Sequence, residues 1–399
     1  MKATIVIPSY WGRAADEPFN PADDVYDHPT PIDGEGTLSR ALESLKDLEH
    51  RDFNVVVIGV ATNESLRERC RERLEEIVAA FSNHLSVSLF SYAEVTEVRQ
   101  ALTARGLGEL APLVAIGSYS DVRNACSLAA ALAGSEVAVF VDDDEVVTDP
   151  RFMNKALESI GKSGGAQRML GIAGFYERPE SDGYLAPQPT DAFSAVWDVP
   201  SRMNEAFAII GEEPRLKVTP FVFGGNMVVH RDLFTKIAFD PNVPRGEDID
   251  FLINAKMFGF DFYLDNELYI KHLPPPKSAP KWRRFEEDVR RFVYTQKKLR
   301  SQRPVSGMRK VSIEELHPYP GAFLGDDLPD KIFKASTLMA MDYLARKDMA
   351  GYEKSLNNLA VGAFDVEAPE GTAFDWYLGY REKWERLMES VAASSITLA

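Results

Sequence analysis

Continuous apolar runs rich in Val and Ile alternate with helix-like stretches through the first half of the chain, and they restrict its fold more than any other feature. A strand that is apolar at every position must be covered on both faces, which favours a parallel sheet with helices packed on either side. The predicted strands cover residues 3–8, 54–60, 85–90 and 137–141, and the helices between them cover 37–48, 64–81 and 121–132. The sequence therefore predicts an α/β fold, in which ligands bind at the carboxyl ends of the strands.

The later part of the chain changes from strands to helices at a triple proline, Pro274 to Pro276. Before it, strands are predicted at 221–229 and 261–270, with a helix at 248–258; after it, helices are predicted at 282–300, 329–346, 349–360 and 373–392. We therefore expect a strand-bearing domain over 1–276 and a helical C-terminal region over 277–399. The Pro-, Asp- and Gly-rich stretch 11–36 is longer than an ordinary strand-to-helix loop, and we interpret it as an inserted loop.

Charge and composition exclude several classes of partner. The chain of 399 residues has a formal net charge of -16 at pH 7, and such a surface repels nucleic acids and anionic membranes. Two cysteines as far apart as Cys70 and Cys126 indicate neither a disulfide framework nor a cysteine metal site. The sequence has neither a secretory signal nor the run of about 20 apolar residues that would span a bilayer. These features predict a soluble cytoplasmic protein.

Three consecutive aspartates, Asp142 to Asp144, follow the strand predicted at 137–141. Adjacent carboxylates repel one another unless solvent or a cation neutralises them. Their oxygens suit Mg²⁺ or Mn²⁺, and Mg²⁺ typically combines one or two carboxylates with phosphate oxygens of a substrate. A solvated acidic turn is the simpler interpretation of such a triplet. Its position directly after an apolar strand of a parallel sheet favours the metal site.

Five further stretches accompany the triplet in a recognisable order: IVIPSY at 5–10, SDVRNACSLAAA at 120–131, FGGNMVVHRDLF at 223–234, GEDIDF at 246–251 and YIKHLPPP at 269–276. Together with the triplet, which looks like a DxD motif, they resemble the GT-A fold glycosyltransferases, especially glycosyltransferase family 2, over roughly residues 3–276. The resemblance implies a Rossmann-like GT-A domain, a nucleotide-sugar donor and a hydroxyl acceptor. It identifies neither the sugar nor the acceptor.

The resemblance also implies the residues of the donor and metal sites. Mg²⁺ or Mn²⁺ would be bound by Asp142, Asp144 and His272. The residues expected to contact the donor are Pro8, Ser9, Tyr10, Asn63, Arg123, Asp142, Asp143, Gly224, Gly225 and Asn226. Asn63 follows the second strand, where the family often has an acidic residue that binds the nucleobase, so the donor nucleotide stays open. The histidine and the glycines also have structural interpretations, as a core side chain and as a tight turn or bulge.

Glu247 and Asp248 open the helix predicted at 248–258. Resemblance to the inverting family members gives Asp248 the role of general base, with Glu247 beside it and Asp250 as a weaker candidate. Carboxylates in a first helical turn are also favoured by the helix dipole, which is the alternative explanation. The resemblance therefore predicts inverting transfer with Asp248 as the base.

A basic stretch follows the triple proline and contains Lys277, Lys281, Arg283 and Arg284. Cations at the start of a helix oppose its dipole, so their presence there favours contact with an anion. They would serve either as a lid over the donor diphosphate or as a clamp on an anionic acceptor.

Other functions are compatible with parts of the pattern. A retaining transferase of the same fold could act on a small anionic acceptor such as glycerate or phosphoglycerate. A nucleotidyltransferase shares the sheet and the acidic metal site, but it would normally have a glycine-rich basic loop where this chain has SYWGRAADEP. A non-catalytic carbohydrate-binding protein would not need the full set of acidic residues and His272. Whether the chain forms a homo-oligomer stays open.

Overall fold

A computed structural model describes residues 1–17, 26, 28–164, 167–178, 183–276 and 279–392. Its strands are β1 (Ala3–Gly12), β2 (Thr30–Pro31), β3 (Phe53–Ala61), β4 (Val87–Phe90), β5 (Val137–Phe140), β6 (Glu145–Val146), β7 (Ser163–Gly164), β8 (Gln167–Arg168), β9 (Gly171–Glu177), β10 (Leu216–Val218), β11 (Met227–His230) and β12 (Phe262–His272). The main sheet has the order β10-β12-β9-β11-β5-β1-β3-β4, with β2 beside β1 and β6 beside β12.

Helices cover the sheet and continue beyond its last strand. They are α1 (Leu38–Ser44), α2 (Arg67–Phe81), α3 (Tyr92–Ala104), α4 (Tyr119–Leu132), α5 (Phe152–Ser159), α6 (Ala192–Val196), α7 (Val199–Phe207), α8 (Arg231–Phe234), α9 (Glu247–Met257), α10 (Lys281–Arg300), α11 (Leu328–Ala345), α12 (Met349–Ala360) and α13 (Ala373–Ala392). Within the described residues, none of these helices has both the length and the apolar character required to cross a membrane.

The strand directions confirm a mostly parallel sheet. Strands β4, β3, β1 and β5 pair in parallel, as the continuous apolar sequences of β1, β3 and β5 predict, and β9 and β12 form a second parallel pair. Strand β11 runs antiparallel between β5 and β9. The strand predicted over 221–229 begins only at Met227, because residues before it turn, with the Asn226 backbone N–H donating to the Phe223 carbonyl at 2.9 Å.

Helices α10 to α13 follow the triple proline and pack directly on the strand-bearing part. In α13, the Tyr377 hydroxyl donates to the Ala238 carbonyl at 2.9 Å, and the Trp384 indole N–H donates to the Phe234 carbonyl at 3.0 Å. Both aromatic rings are fully buried. The apolar core therefore continues from the sheet into the C-terminal helices.

A buried charge cluster fixes α10 to α9. The Lys298 ammonium lies 2.7 Å from Asp240 Oδ2 and 2.8 Å from Asp250 Oδ1. Asn254 Oδ1 accepts a further hydrogen bond from Lys298 at 3.2 Å. Because all of these side chains are buried, each ion depends on the others for its charge compensation.

Part of the predicted inserted loop is described. Trp11 and Gly12 belong to the end of β1, and Thr30 and Pro31 of β2 pair with them in parallel. Residues 18–25 and 27 of this stretch lie outside the described residues, as does Lys277 of the predicted basic stretch.

Candidate active site

A cavity of about 680 Å³ opens where β5 and β12 end and α9 begins. Six of the residues predicted for the site line it, from five different segments of the chain: Arg123, Asp142, Gly224, Glu247, Asp248 and His272. The sequence motifs that carry them are therefore brought together by the fold, at the edge of the sheet where parallel strands present their carboxyl ends.

Arg123 of α4 connects the acidic triplet to the start of α9. Its guanidinium donates to both carboxylate oxygens of Asp142, at 2.7 and 3.1 Å, and its Nε donates to Glu247 Oε1 at 3.2 Å. Although burial favours the neutral guanidine, the carboxylates of Asp142 and Glu247 hold the pKa of Arg123 well above its usual value. The arginine therefore stays charged and fixes both acids.

Asp144 faces two histidines. Its Oδ2 lies 3.5 Å from His272 Nε2 and 3.7 Å from His28 Nε2. Although burial alone would raise the pKa of Asp144, the hydrogen bond and charge of His272, with a smaller effect of His28, lower it. His28 was not predicted as a site residue, and a single histidine in the Pro- and Asp-rich stretch 11–36 gives no signal of this contact.

The donor atoms at Asp144 fit a divalent metal ion, although the described residues contain no ready-made cluster of three or more His, Cys, Asp or Glu side chains that would enclose one. Asp144 offers a buried carboxylate, and His272 Nδ1 is buried without a hydrogen-bond partner among the described residues. The His272 ring also stacks on Tyr176, with centroids 4.7 Å apart, which holds the imidazole in place. A carboxylate with an imidazole suits an ion such as Mn²⁺, and Asp142 is instead directed to Arg123.

Asp248 lies in the first turn of α9 beside Glu247. Its Oδ1 accepts the backbone N–H of Ile249 at 2.8 Å. Burial, followed by the neighbouring charge of Glu247, raises the pKa of Asp248 to about 7. A carboxylate with this pKa can accept a proton near neutral pH. Asp250, the weaker candidate, is paired with Lys298 in the buried cluster and does not line the cavity.

Gly224 leaves room for the two charged groups that meet at the cavity wall. A Cβ at this position would lie 2.7 Å from Arg123 Nη2 and 3.4 Å from Asp248 Oδ2. Any larger residue would therefore displace the guanidinium. The resemblance implied that Gly224 contacts the donor, and the contact found at this position is with the arginine.

The first strand carries three of the residues predicted to contact the donor, Pro8, Ser9 and Tyr10. Ser9 is buried, and its hydroxyl donates to Asp143 Oδ2 at 2.7 Å while accepting the Trp11 indole N–H at 3.0 Å. Burial and the charge of Asp144 raise the pKa of Asp143 to about 8. Pro8 precedes Ser9 in β1 and is also buried.

Tyr10 belongs to an aromatic cluster beside that strand. Its ring lies against Tyr26, with centroids 4.0 Å apart, and meets the edge of Tyr119 at 5.6 Å. The hydroxyls of Tyr10 and Tyr26 are buried and have no hydrogen-bond partner among the described residues. Tyr26, like His28, comes from the predicted inserted loop, so this loop reaches both Tyr10 and Asp144.

Seven of the predicted donor residues do not line the cavity: Pro8, Ser9, Tyr10 and Asp143, described above, and Asn63, Gly225 and Asn226. Asn63 Oδ1 accepts the backbone N–H of Ser65 at 2.8 Å and caps a helical turn. The backbone N–H of Gly225 donates to the Tyr176 hydroxyl at 2.9 Å. Asn226 Nδ2 donates to two buried carbonyls, at 3.0 and 3.2 Å. The contacts of these last three are with the protein itself.

The basic stretch divides between the cavity and the surrounding surface. Lys281 and Arg284 line the cavity, whereas Arg283 pairs with Glu287 at 3.6 Å. Arg291 of α10 and Arg245, which directly precedes the GEDIDF motif, also line it and were not predicted. Arg291 stands seven residues after Arg284 in a predicted helix, a spacing that returns to the same helix face and could have identified it.

No protein-family model and no curated protein sequence matches the chain. Among solved structures, the mannosyltransferase PcManGT from Pyrobaculum calidifontis in complex with GDP-Man and Mn²⁺ is similar over 98% of this chain and 86% of that one, at 14% identity and a TM-score of 0.45. GalNAc-T7 with UDP, GalNAc and Mn²⁺ is similar over 79% of this chain and 53% of that one, at 14% identity and a TM-score of 0.41. Glucosyl-3-phosphoglycerate synthase from Mycobacterium tuberculosis in complex with Mn²⁺ and UDP-glucose is similar over 73% of this chain and 77% of that one, at 12% identity and a TM-score of 0.36.

Proposed function

We propose that this chain is a GT-A glycosyltransferase that moves a sugar from a nucleoside diphosphate to a hydroxyl group of an acceptor. The observation that carries the proposal is the cavity that Arg123, Asp142, Asp248 and His272 line together. It joins the end of a parallel strand, the usual position for a nucleotide, to a carboxylate whose pKa of about 7 suits a general base.

A divalent ion, Mn²⁺ or Mg²⁺, is proposed as the cofactor, held by Asp144 and His272 with Asp142 nearby. When bound, it would stabilise the negative charge of the departing diphosphate. The buried Asp144 carboxylate supports this role, because its lowered pKa keeps it ionised and able to bind a cation. The Mn²⁺ ions in the similar glycosyltransferase structures are compatible with the same assignment.

Asp248 is proposed as the base of an inverting reaction. The acceptor oxygen attacks the anomeric carbon as the bond from that carbon to the diphosphate breaks, and the acceptor proton passes to Asp248. Arg123 would position this step indirectly, because it pairs with Glu247 next to the base and with Asp142 on the donor side. The anomeric configuration of the product is thereby expected to be inverted.

The first experiment is a binding panel of nucleoside diphosphates and nucleotide sugars, each with Mn²⁺, with Mg²⁺ and with a chelator. We expect at least one nucleoside diphosphate to bind measurably and to require the metal. The best donor is then incubated with mixed hydroxyl acceptors, and the anomer of the product is determined by NMR. If no nucleotide binds with any ion, the proposed function is wrong; if the anomer is retained, only the inverting assignment is wrong.

A further inference from the structure

We infer that the acceptor carries an anionic group, a phosphate or a carboxylate, which binds between Arg245, Arg284 and Arg291 on the α10 side of the cavity. This inference rests on the proposed function, because it assigns the second substrate of the same site. The sequence leaves two roles open for the basic stretch, a lid over the donor diphosphate and a clamp on an anionic acceptor, and this inference selects the second.

One face of α10 lines the cavity with charged residues. Lys281, Arg284, Asp288 and Arg291 follow one another at intervals of three or four residues and all border the same space. Three of these four side chains are cationic, in a chain whose formal net charge is -16. A concentration of positive charge in a concave site attracts anionic ligands.

Asp288, the one acid among these four residues, already has a hydrogen-bond partner at each carboxylate oxygen. Asp288 Oδ1 accepts from Arg291 at 2.6 Å, and its Oδ2 accepts the Trp197 indole N–H at 3.1 Å. Arg291 Nε is nevertheless buried without a hydrogen-bond partner among the described residues. Within that part of the chain, no ion pair joins Arg284 to an acidic side chain. Both guanidiniums therefore retain donors for a ligand.

Arg245 also lines the cavity and comes from outside α10. It directly precedes Gly246 at the start of α9 and is close enough to Arg291 for the two like charges to repel each other. Its ion pair with Glu287 is long, at 3.7 Å. An anion placed between the two guanidiniums would remove this repulsion and accept forked hydrogen bonds, which carboxylate and phosphate groups do well.

The position of this cluster favours the acceptor over the donor diphosphate. Arg291 interacts electrostatically with Asp248, the proposed base, whereas Asp144 and Ser9 belong to the donor side near β1 and β5. An anion held by Arg291 would bring a hydroxyl of the same molecule towards Asp248. The rings of Trp197 and Phe285, which also border the cavity and contact each other at 4.9 Å, provide an apolar wall for the rest of the acceptor.

The test uses the full chain and two cavity variants, Arg284→Gln and Arg291→Gln. The control is Arg290→Gln, which removes a cation of the same helix that pairs with Glu286 and does not line the cavity. Binding of inorganic phosphate and of acetate is measured by NMR titration, first alone and then with UDP or GDP and Mn²⁺ present. Unfolding midpoints of all variants are compared, and Arg284→Gln, at a partly exposed position, provides a test that does not disturb a buried side chain.

We expect phosphate or acetate to bind the wild type and the control alike, and about tenfold or more weakly to each cavity variant, as is typical for the loss of a charged hydrogen bond. Nucleoside diphosphate affinity should change less than about twofold in all three variants. The relative strength of phosphate and acetate identifies the class of anion. Equal anion binding in every variant overturns the inference, and so does a parallel loss of nucleoside diphosphate affinity, which would assign the arginines to the donor. A failure of the proposed function is separate, since nucleoside diphosphates would then bind to no variant.

Discussion

Arg123 and Asp142 are joined by two parallel hydrogen bonds, at 2.7 and 3.1 Å, although they lie on different elements, α4 and the end of β5. The same guanidinium also binds Glu247, which adjoins the proposed base. This forked geometry requires arginine, because a lysine ammonium cannot present two parallel donors. The Asp142 carboxylate and the start of α9 are thus held in fixed relative positions by one side chain.

Replacement of Gly224 by alanine should disturb the bridge that Arg123 forms between Asp142 and Glu247. The new Cβ would lie 2.7 Å from Arg123 Nη2, closer than unstrained contacts allow, so the guanidinium must move. We expect the transfer rate to fall with little change in the unfolding midpoint, measured by steady-state kinetics and thermal denaturation. The matched control is Gly379→Ala in α13, where no atom lies within 4 Å of the added Cβ. It should leave the rate unchanged and stabilise the fold by about 0.5–1 kcal/mol, the usual gain from replacing a helical glycine. A fully active Gly224→Ala variant would contradict the role of Arg123.

Substitution of Asp248 by asparagine tests the general base. The variant keeps the shape of the side chain but cannot accept a proton, so the transfer rate should fall by ~10²–10⁴-fold. Donor and acceptor affinities should change little, because the loss belongs to the transition state. Single-turnover kinetics with separate binding titrations measure both quantities. Near wild-type turnover with inversion would transfer the role to Glu247, whereas good turnover with retention would reject the inverting mechanism.

The pH dependence of catalysis should reflect the raised pKa of Asp248. A base must be ionised to act, so kcat/KM is expected to rise with pH through about 7 and then level off. The free enzyme is the relevant state for this parameter, and a pH series at low acceptor concentration measures it. The series should cover roughly two pH units on either side of the expected pKa, from about pH 5 to about pH 9. A kcat/KM that is constant over this range would contradict Asp248 as the base.

The contribution of Asp248 to the free energy of unfolding should fall as the pH rises, whereas its contribution to catalysis rises. Because folding raises the pKa of Asp248 from its usual value near 3.8 to about 7, its favourable contribution is complete below the unfolded pKa and is lost as the pH rises through 7. Asp248→Asn, which stays neutral, should therefore be more stable than the wild type above pH 7, and the difference should shrink towards pH 4. Denaturant unfolding at several pH values checks this. A variant less stable at pH 8 than the wild type would show that the ionised carboxylate is stabilised in the fold.

Asp144 should determine the metal dependence of nucleotide binding. Asp144→Ala removes a buried carboxylate and is expected to abolish the difference between binding with Mn²⁺ and binding with a chelator. Calorimetry of nucleoside diphosphate binding measures it. Asp47→Ala, which changes an exposed acid away from the cavity, is the control and should behave as the wild type.

His272→Ala should weaken only the metal-dependent part of the nucleoside diphosphate affinity. A lower melting temperature with an unchanged metal response would make this histidine structural.

Lys298 should be essential to the folded state. Lys298→Met leaves Asp240 and Asp250 buried without their cation, and removing one partner of a buried ion pair typically costs ~3–5 kcal/mol. Lys383→Met, at an exposed position of α13, should cost little. The free energies of unfolding are compared in urea. Adding Asp250→Asn to Lys298→Met should recover part of the loss, and an unaffected single variant would contradict this account of the cluster.

The sequence predicts the sheet better than the contacts of its site. Continuous apolar runs identify β1, β3 and β5, because strands buried on both faces are apolar at successive positions. The antiparallel direction of β11 leaves no such mark, since its residues are equally apolar in either orientation.

Local motifs likewise identify Asp142, Asp248 and His272 as cavity residues, because each stands at the end of an element. The ion pair between Asp250 and Lys298 joins residues 48 positions apart. The contact of His28 with Asp144 depends on the path of a loop. Neither is encoded by local spacing, because long-range contacts follow from the packed core.

The burial of α4 has a consequence for any attempt to shorten or recombine this protein. Every residue from Val122 to Leu132 of that helix is buried, and α13 packs on it from the far end of the chain, with Asn124 donating to the Tyr380 hydroxyl at 3.2 Å. A fragment ending at the triple proline would therefore expose an apolar helix that carries Arg123. Chimeras built from this chain should therefore exchange α13 together with α4, as one packed unit, and not at the apparent junction in the sequence.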